Sequence, residues 1–257
     1  MLKRFLLLIL LAGAVSVALA QTADSAAAPS VAKQSSDGTF GSSVFPRNPL
    51  SHWRFGAFFG TGSNTHVIDV AYASDMKYTP LSGISAGIGA AYNPCGWFSL
   101  QADVALVKKN YRLDRDNRYV HFLYTESYND YLSFPVTAVL SIGRTFRVVG
   151  FFGGYLGYWL SSHRQGQSLS VSYLISSDEE TTFFDEDYAF NTERDNRFDA
   201  GLVFGFGARC ALFKKVDLSA EMRWYYGLTD IHKKYMNNLN PRYNTTRVLQ
   251  FGIAYWL

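Results

Sequence analysis

From residue 51 to the C-terminus, long stretches of the chain place an apolar side chain at every second position. In residues 80–92, for example, isoleucine, alanine and tyrosine alternate with glycine, serine and alanine. Because successive side chains of a β-strand point to opposite faces, each stretch predicts a strand with one apolar face. The pattern predicts eight strands, at residues 52–62, 80–92, 97–109, 130–142, 146–160, 197–212, 217–228 and 246–257.

The predicted strands are 11 to 16 residues long, which suits tilted strands that cross a bilayer better than strands of a soluble protein. Three connections are tight turns, at 93–96, 143–145 and 213–216, and four are long and polar, at 63–79, 110–129, 161–196 and 229–245. Short turns in the periplasm and long loops outside are typical of outer-membrane barrels. The sequence therefore predicts an all-β fold, an eight-stranded antiparallel transmembrane up-and-down β-barrel in the bacterial outer membrane, with both termini periplasmic.

The N-terminal region differs in character from the rest of the chain. Lys3 and Arg4 precede an apolar segment at 5–17, and Ala18-Leu19-Ala20 offers small residues for cleavage, which is the pattern of a secretory signal peptide. The following residues are rich in alanine, serine and glutamine and have no period. The predicted organisation is a signal peptide at 1–20, a flexible periplasmic linker at 21–50 and the outer-membrane β-barrel domain at 51–257.

The second face of most strands carries small residues, where a sheet facing water would carry lysine, glutamate and threonine. Small residues fit a narrow lumen that packed side chains fill, whereas a soluble ligand-binding barrel would put its apolar face inside. Residues 146–160 are apolar in both phases, so their faces cannot be assigned from the sequence. Pro135 cannot donate a hydrogen bond to a neighbouring strand, and we expect a β-bulge at this position.

Aromatic residues crowd both ends of the predicted strands, as in the girdles of membrane barrels. Ordinary β-propensity also enriches aromatic residues in strands, but the placement at both ends favours girdles. The expected girdle is Trp53, Tyr92, Trp97, Phe146, Phe213 and Tyr255 at the turn side, and Tyr131, Tyr158, Trp159, Phe198 and Tyr226 at the loop side.

Several charged residues fall on the inward phase of the strands. Charges in a narrow lumen must pair, because leaving one unpaired costs several kcal/mol. We therefore expect an interior ion-pair network that plugs the barrel, and a polar conducting pathway is the alternative. The residues of this network are Arg54, Asp103, Arg209, Glu221 and Arg223, accompanied by Gln101 and Gln250.

Net charge and cysteine content add little to this interpretation. The formal net charge of the whole chain is +3, which gives no reason to expect a nucleic-acid partner. Cys95 and Cys210 would meet an oxidising environment in an exported protein. Spacing along the chain does not show that two cysteines meet, so we expect both to be unpaired.

The longest predicted loop, 161–196, mixes carboxylates with aromatic residues. Its carboxylates could bind Ca²⁺, but their spacing matches no defined calcium loop, and acidic runs are usually solvated. Exposed aromatic residues among acids indicate a contact surface for a partner, unless they pack on the base of the loop. The candidate partner-binding residues are Asp178, Glu179, Glu180, Phe183, Phe184, Asp185, Glu186, Asp187 and Tyr188.

The same loop begins with Ser161, Ser162 and His163, which could supply a nucleophile and a base for a hydrolase or acyltransferase at the barrel rim. Adjacent Ser-Ser-His is not the geometry of a catalytic triad, and a histidine on a loop is usually only polar. The predicted protein is therefore not an enzyme and has no cofactor or metal site. A rim hydrolase and a small ligand-binding or pore-forming barrel remain alternatives.

Three segments resemble the PorT-like outer-membrane β-barrel domain family of Gram-negative bacteria. They are Asp130-Tyr131-Leu132-Ser133-Phe134-Pro135-Val136, where the family has a YLxIP strand, residues 198–207, and residues 223–231. The resemblance covers about residues 50 to 257 and implies a barrel without a cofactor or catalytic residues. It also implies a proline at position 135, while Phe134 departs from the isoleucine of the family pattern.

The namesake of that family acts in protein secretion and cell-surface maturation. The resemblance therefore implies a binding or scaffold component with a possible protein partner in a secretion or surface complex. Outer-membrane lipid is a further expected partner. The barrel assembly machinery is expected to recognise the terminal strand, which ends in Tyr255-Trp256-Leu257 rather than in the more usual phenylalanine.

Overall fold

The computed structural model describes residues 52–68, 76–117, 120–169, 181–213, 215–233 and 241–257. The predicted signal peptide and linker, and the acidic residues at 178–180, lie outside these ranges. Among the described residues, no helix is long and apolar enough to cross a membrane. The strands are β1 (Trp53–Ile68), β2 (Met76–Tyr92), β3 (Phe98–Lys108), β4 (Tyr111–Asn117), β5 (Val120–Gly143), β6 (Phe146–Leu169), β7 (Thr181–Asp187), β8 (Phe198–Phe213), β9 (Val216–Gly227) and β10 (Arg242–Trp256).

All the strands belong to one antiparallel sheet whose first and last strands, β1 and β10, pair with each other. Strands β3 and β4 both lie between β2 and β5, and β7 and β8 both pair with β6. The structure describes ten strands where the sequence predicted eight, because β4 and β7 lie within the predicted loops 110–129 and 161–196. The all-β antiparallel class is as predicted.

The strands extend further than the hydrophobic pattern indicated. β5 and β6 each span 24 residues, and the predicted loop 161–196 contains the end of β6 and all of β7. These extensions carry polar residues on both faces, so apolar alternation did not mark them, although the backbone pairing continues. We call the end with the short connections after Tyr92, Gly143 and Phe213 the turn end, and the opposite end the loop end.

The turn between β5 and β6 depends on a glycine. Gly143 has a φ of 119°, in the left-handed region that side chains with a Cβ atom avoid. A Cβ atom there would also approach the backbone of Phe146 too closely. This local requirement explains why the sequence identified the turn correctly.

One face of the sheet is apolar and exposed, and the other is buried. Phe59 is 59% exposed and Ile88 is 65% exposed, whereas the residues that alternate with them are more buried. In β6, the strand whose faces the sequence left open, Val148, Phe152 and Leu156 lie on the exposed face. Their neighbours along β6, which include Val149, Phe151, Tyr155 and Trp159, point inward. The exposed apolar face is the one that would contact lipid.

Two of the predicted girdle residues do not lie on the outer face. Tyr131 and Trp159 are each 3% exposed, and their rings stack inside the sheet with centroids 5.8 Å apart. Both follow the inward phase of their strands, which Tyr131 shares with Ser133 and Thr137 and Trp159 shares with Phe151 and Tyr155. The other predicted girdle residues are exposed or half-buried.

The predicted bulge at Pro135 is wrong. Pro135 pairs with Tyr155 of β6 in regular register, and the β5–β6 irregularity lies at Asp130 and Tyr131 instead. On its other side, β5 pairs with β3. The pairs Ala102–Val136 and Ala105–Ser133 share one register, but the two residue pairs between them are missing. The lost proline donor thus interrupts the ladder without shifting it.

Both cysteines are free, as predicted. Cys95 lies in the turn between β2 and β3, and Cys210 is exposed on β8.

Candidate functional site

Charged side chains of β3, β8 and β9 meet inside the ring of strands. Glu221 Oε1 accepts a hydrogen bond of 2.8 Å from Arg209 Nη2, and Glu221 Oε2 accepts one of 2.8 Å from Arg223 Nη2. Arg223 Nη1 donates to Asp103 Oδ2 at 2.7 Å. All four residues are buried. We call Asp103, Arg209, Glu221 and Arg223 the central network.

Arg54 joins the central network through a glutamine. Its Nη2 donates to Gln101 Oε1 at 3.3 Å, and the same oxygen accepts a hydrogen bond of 2.9 Å from Arg209. The structure therefore brings together all five residues that the sequence assigned to the interior network. Gln250 of β10 lies opposite Glu221 in the strand register and is also buried.

A second interior cluster at the turn end was not predicted. Asp217 forms an ion pair with Arg147, lies 3.9 Å from Arg54 Nη1, and accepts a 2.9 Å hydrogen bond from Trp256 Nε1. Asp217 has the same strand parity as Glu221, which was a usable signal. Arg147 was missed because both phases of its strand are apolar.

A third cluster lies towards the loop end. Lys109 Nζ is 2.6 Å from Asp199 Oδ2, and both residues are buried. The ammonium group lies 4.8 Å from the ring of Tyr131 and 4.9 Å from that of Tyr155, within the range of cation–π attraction. Asn244 also donates to Asp199. Lys109 shares the strand parity of Asp103, and Asp199 shares that of Arg209, so both inward positions were a usable signal that the sequence analysis missed.

Little space remains between these clusters. A cavity of about 40 Å³ is lined by Arg54, Asp103, Arg209, Glu221 and Gln250, among others. Since a water molecule needs roughly 10–15 Å³ of such space, the cavity holds only a few waters. Paired charges and their packing thus fill the interior at this level.

At the loop end, β6 and β7 form a hairpin that presents acidic and aromatic side chains. His163 of β6 lies between two carboxylates of β7, with Nε2 2.7 Å from Asp185 and Nδ1 2.9 Å from Asp187. The hydrogen bond to Asp187 and attraction to Asp185 raise the pKa of His163 above its usual value. Phe183 is 70% exposed beside them.

The base of this hairpin is packed on Trp159. The ring of Tyr188 stacks on Trp159 at 6.0 Å, and Phe190 meets it edge-on at 4.9 Å. Tyr188 also donates to Asp195, which is buried and paired with Arg194. Of the predicted aromatic contact surface, Tyr188 therefore packs on the loop's own base, while Phe183, Asp185, Glu186 and Asp187 remain exposed.

The serines and histidine considered for catalysis do not form a nucleophile–base pair. Ser161 Oγ donates to Asp130 at 2.9 Å, and both ring nitrogens of His163 contact carboxylates. Ser162 Oγ is buried without a hydrogen-bond partner. Within the described ranges, no three histidine, cysteine or acidic side chains are placed to hold a metal ion.

Comparisons with known proteins agree with this architecture. The family model of the outer membrane protein beta-barrel domain matches residues 32–233. No curated protein matches the chain. Among solved structures, OprG from Pseudomonas aeruginosa is 16% identical, with a TM-score of 0.46 over 82% of this chain and 98% of that one. Neisserial surface protein A is 14% identical, with a TM-score of 0.38 over 79% of this chain and 97% of that one.

Ail of Yersinia pestis is 11% identical, with a TM-score of 0.38 over 79% of this chain and 98% of that one. These structural similarities are too weak to carry an argument about function, so the assignment depends on the family model. That model matches well over half of the chain. The chain therefore belongs to the outer membrane protein β-barrel domain family, which confirms the predicted fold class and the predicted outer-membrane location.

Proposed function

We propose that this protein is a non-enzymatic outer-membrane barrel with a plugged interior that acts through its loop end as a binding or scaffold component. The plug would be formed by the central network and the turn-end and loop-end ion pairs, which leave only a small cavity. Because the interior is filled and the outer wall faces lipid, the loop end is the part of the barrel that is left for binding. The start of β1 and the end of β10 lie at the turn end, so both termini would be periplasmic.

The observation that carries this proposal is the β6–β7 hairpin. An exposed phenylalanine among acidic side chains is typical of contact surfaces, because exposing a large apolar side chain to water is unfavourable unless a partner covers it. Phe183 is such a residue, with Asp185, Glu186 and Asp187 exposed on the same strand. The packing of Tyr188 on Trp159 holds the base of the hairpin, so binding would cost little ordering entropy.

The finer proposal follows from the PorT-like resemblance. We infer that the partner is a protein of a secretion or surface-assembly complex, which would use complementary basic and aromatic groups against the hairpin. During biogenesis, the barrel assembly machinery would recognise the terminal strand β10, whose Phe251, Ile253 and Tyr255 lie on the exposed face.

Native co-purification tests this proposal. A tagged copy is extracted from outer membranes in mild detergent, and the eluate is analysed by mass spectrometry and by gel with and without boiling. We expect a heat-shifted band, which reports a folded barrel, together with a stoichiometric protein partner. Phe183→Ser should lose the partner and keep the heat shift.

The matched control is Leu228→Ser, which removes an exposed apolar side chain at the same end but outside the hairpin. It should keep the partner. A heat-shifted wild-type band without any partner, or retention of the partner by Phe183→Ser, would contradict the proposed role of the hairpin. A heat-shifted wild-type band without a partner would favour a standalone surface binder or a rim enzyme.

A further inference from the structure

The inner face of the loop end contains a cluster of aromatic and basic side chains that the central network does not include. The ring of His66 on β1 lies 5.5 Å from that of Tyr78 on β2 and 4.1 Å from that of Tyr111 on β4. The guanidinium of Arg242 on β10 lies 5.8 Å from the Tyr78 ring. His232, between β9 and β10, lies beside Arg242, because the backbone N–H groups of both donate to the same oxygen of Asp230. We call His66, Tyr78, Tyr111, His232 and Arg242 the loop-end pocket.

The loop-end pocket contains an unusual number of buried polar atoms without partners. Both ring nitrogens of His66, both of His232, the hydroxyl of Tyr78 and Nε of Arg242 are shielded from solvent and have no hydrogen-bond partner. Buried donors without acceptors are rare because the free energy of desolvating each donor is then not compensated by a hydrogen bond. Several in one place indicate an absent acceptor.

The charge balance of the pocket indicates the sign of that acceptor. Within the described residues, no carboxylate lies within ion-pair distance of the Arg242 guanidinium. Asp230 is nearby, but one of its oxygens accepts from the backbone N–H groups of His232 and Arg242. Lys109 lies below the pocket and is already paired with Asp199.

The titration of the pocket residues agrees with this imbalance. Burial, followed by repulsion from Arg242, Lys109 and His232, lowers the pKa of His66 to about 3, although a contact with the Tyr243 backbone, outside hydrogen-bond geometry, partly offsets this. His66 is therefore neutral at pH 7 and keeps one N–H donor. Burial raises the pKa of Tyr78, so its hydroxyl also remains a donor.

We propose that the loop-end pocket binds an oxyanion of the phosphate class, held by the Arg242 guanidinium and by the neutral donors of Tyr78, His66 and His232. A phosphate group has several acceptor oxygens and a negative charge, which match a set of donors with a surplus cation. Tyr78, His232 and Arg242 are partly exposed at the loop end, although the polar atoms named above are shielded. This inference does not depend on the hairpin or on the proposed protein partner.

Calorimetric titration with inorganic phosphate, at constant ionic strength and on protein folded in zwitterionic detergent, tests the proposal. Wild-type protein should bind phosphate saturably with one site. Arg242→Gln should weaken binding about tenfold or more, because a charged hydrogen bond is lost, and Tyr78→Phe should weaken it about threefold.

The matched control is Arg112→Gln. Arg112 lies at the same end but on β4 with its guanidinium paired to Asp114 and Glu126, so its loss should leave phosphate binding unchanged. The heat shift on gels verifies that each variant is folded. If Arg242→Gln does not fold, Tyr78→Phe, which removes one hydroxyl only, decides the question.

Absence of saturable binding by the wild type would overturn the proposal and leave water as the occupant of the pocket. An equal loss of affinity in Arg112→Gln would also overturn it, because binding would then follow general charge. A parallel titration with glucose 1-phosphate distinguishes the source of the anion. Binding of the sugar phosphate would support phosphomonoester headgroups as ligands, and binding of inorganic phosphate alone would support a small free anion. Phe183→Ser should bind phosphate normally, so this proposal and the hairpin proposal fail separately.

Discussion

At the scale of single residues, Glu221 has the most demanding position in the interior. Each of its two carboxylate oxygens accepts from a different buried arginine, Arg209 or Arg223. Arg223 retains Asp103 as a second carboxylate, whereas Arg209 has only Gln101 besides Glu221. Loss of the charge on Glu221 would therefore leave Arg209 buried without a counter-ion, which is costly in a dry interior.

We expect Glu221→Gln to lower the free energy of unfolding by about 3 kcal/mol or more, the scale for breaking one side of a buried ion pair. Urea unfolding of the detergent-folded protein, followed by the loss of the heat-shifted band, measures the change. Glu186→Gln alters an exposed acid of the hairpin and should stay within about 0.5 kcal/mol of wild type. Equal stability of the two variants would show that the central network does not contribute to stability.

At the scale of strands, glycines on the inner face of β8 make room for aromatic rings from β6. A Cβ atom at Gly205 would lie 2.7 Å from Cζ of Phe151 and would also collide with the backbone oxygen of Met222. Phe151 is buried in a cluster with Val149 and Val139. On the opposite face of β6, a Cβ atom at Gly150 would meet nothing within 4 Å.

Gly205→Ala and Gly150→Ala therefore form a matched pair. We expect Gly205→Ala to destabilise the barrel by about 1–3 kcal/mol, the usual cost of overpacking a core. Gly150→Ala should be neutral or slightly stabilising, because alanine loses less conformational entropy in a strand than glycine. Urea midpoints of the two variants check this expectation, and a reversed order would mean that β8 and β6 pack differently.

At the scale of the whole molecule, the closed antiparallel sheet places the polar phase of every strand in one shared interior. The three interior ion-pair clusters lie at successive levels between the turn end and the loop end. The small remaining cavity contacts the central network. An ion crossing this interior would have to break buried pairs, each worth several kcal/mol.

The purified protein should consequently show no conductance steps in planar lipid bilayers at neutral pH. Detergent without protein is the control for bilayer leakage, and the heat shift verifies that the added sample is folded. Reproducible single-channel steps would refute the plug and revive a polar pathway through the lumen.

Some features of the interior were predictable in part. Strict side-chain alternation assigned Arg54, Asp103, Arg209, Glu221 and Arg223 to the inward phase, and the structure brings them together. The pairing partners were not predictable, because a strand's parity specifies its face but not the neighbour opposite. The same limit explains why Lys109 and Asp199, 90 residues apart in the chain, were not recognised as a pair.

The sequence by itself determined the all-β class, the strand periodicity, the short turns and the apolar outer face, because these depend on local sterics and on a two-residue repeat. Only the tertiary structure decided the extension of the strands past the apolar zone, the interruption between β3 and β4, and which of the two apolar phases of β6 points inward. It also decided the environment of His163 between Asp185 and Asp187. Each of these depends on cross-strand register, and register is a relation between segments that neither segment encodes alone.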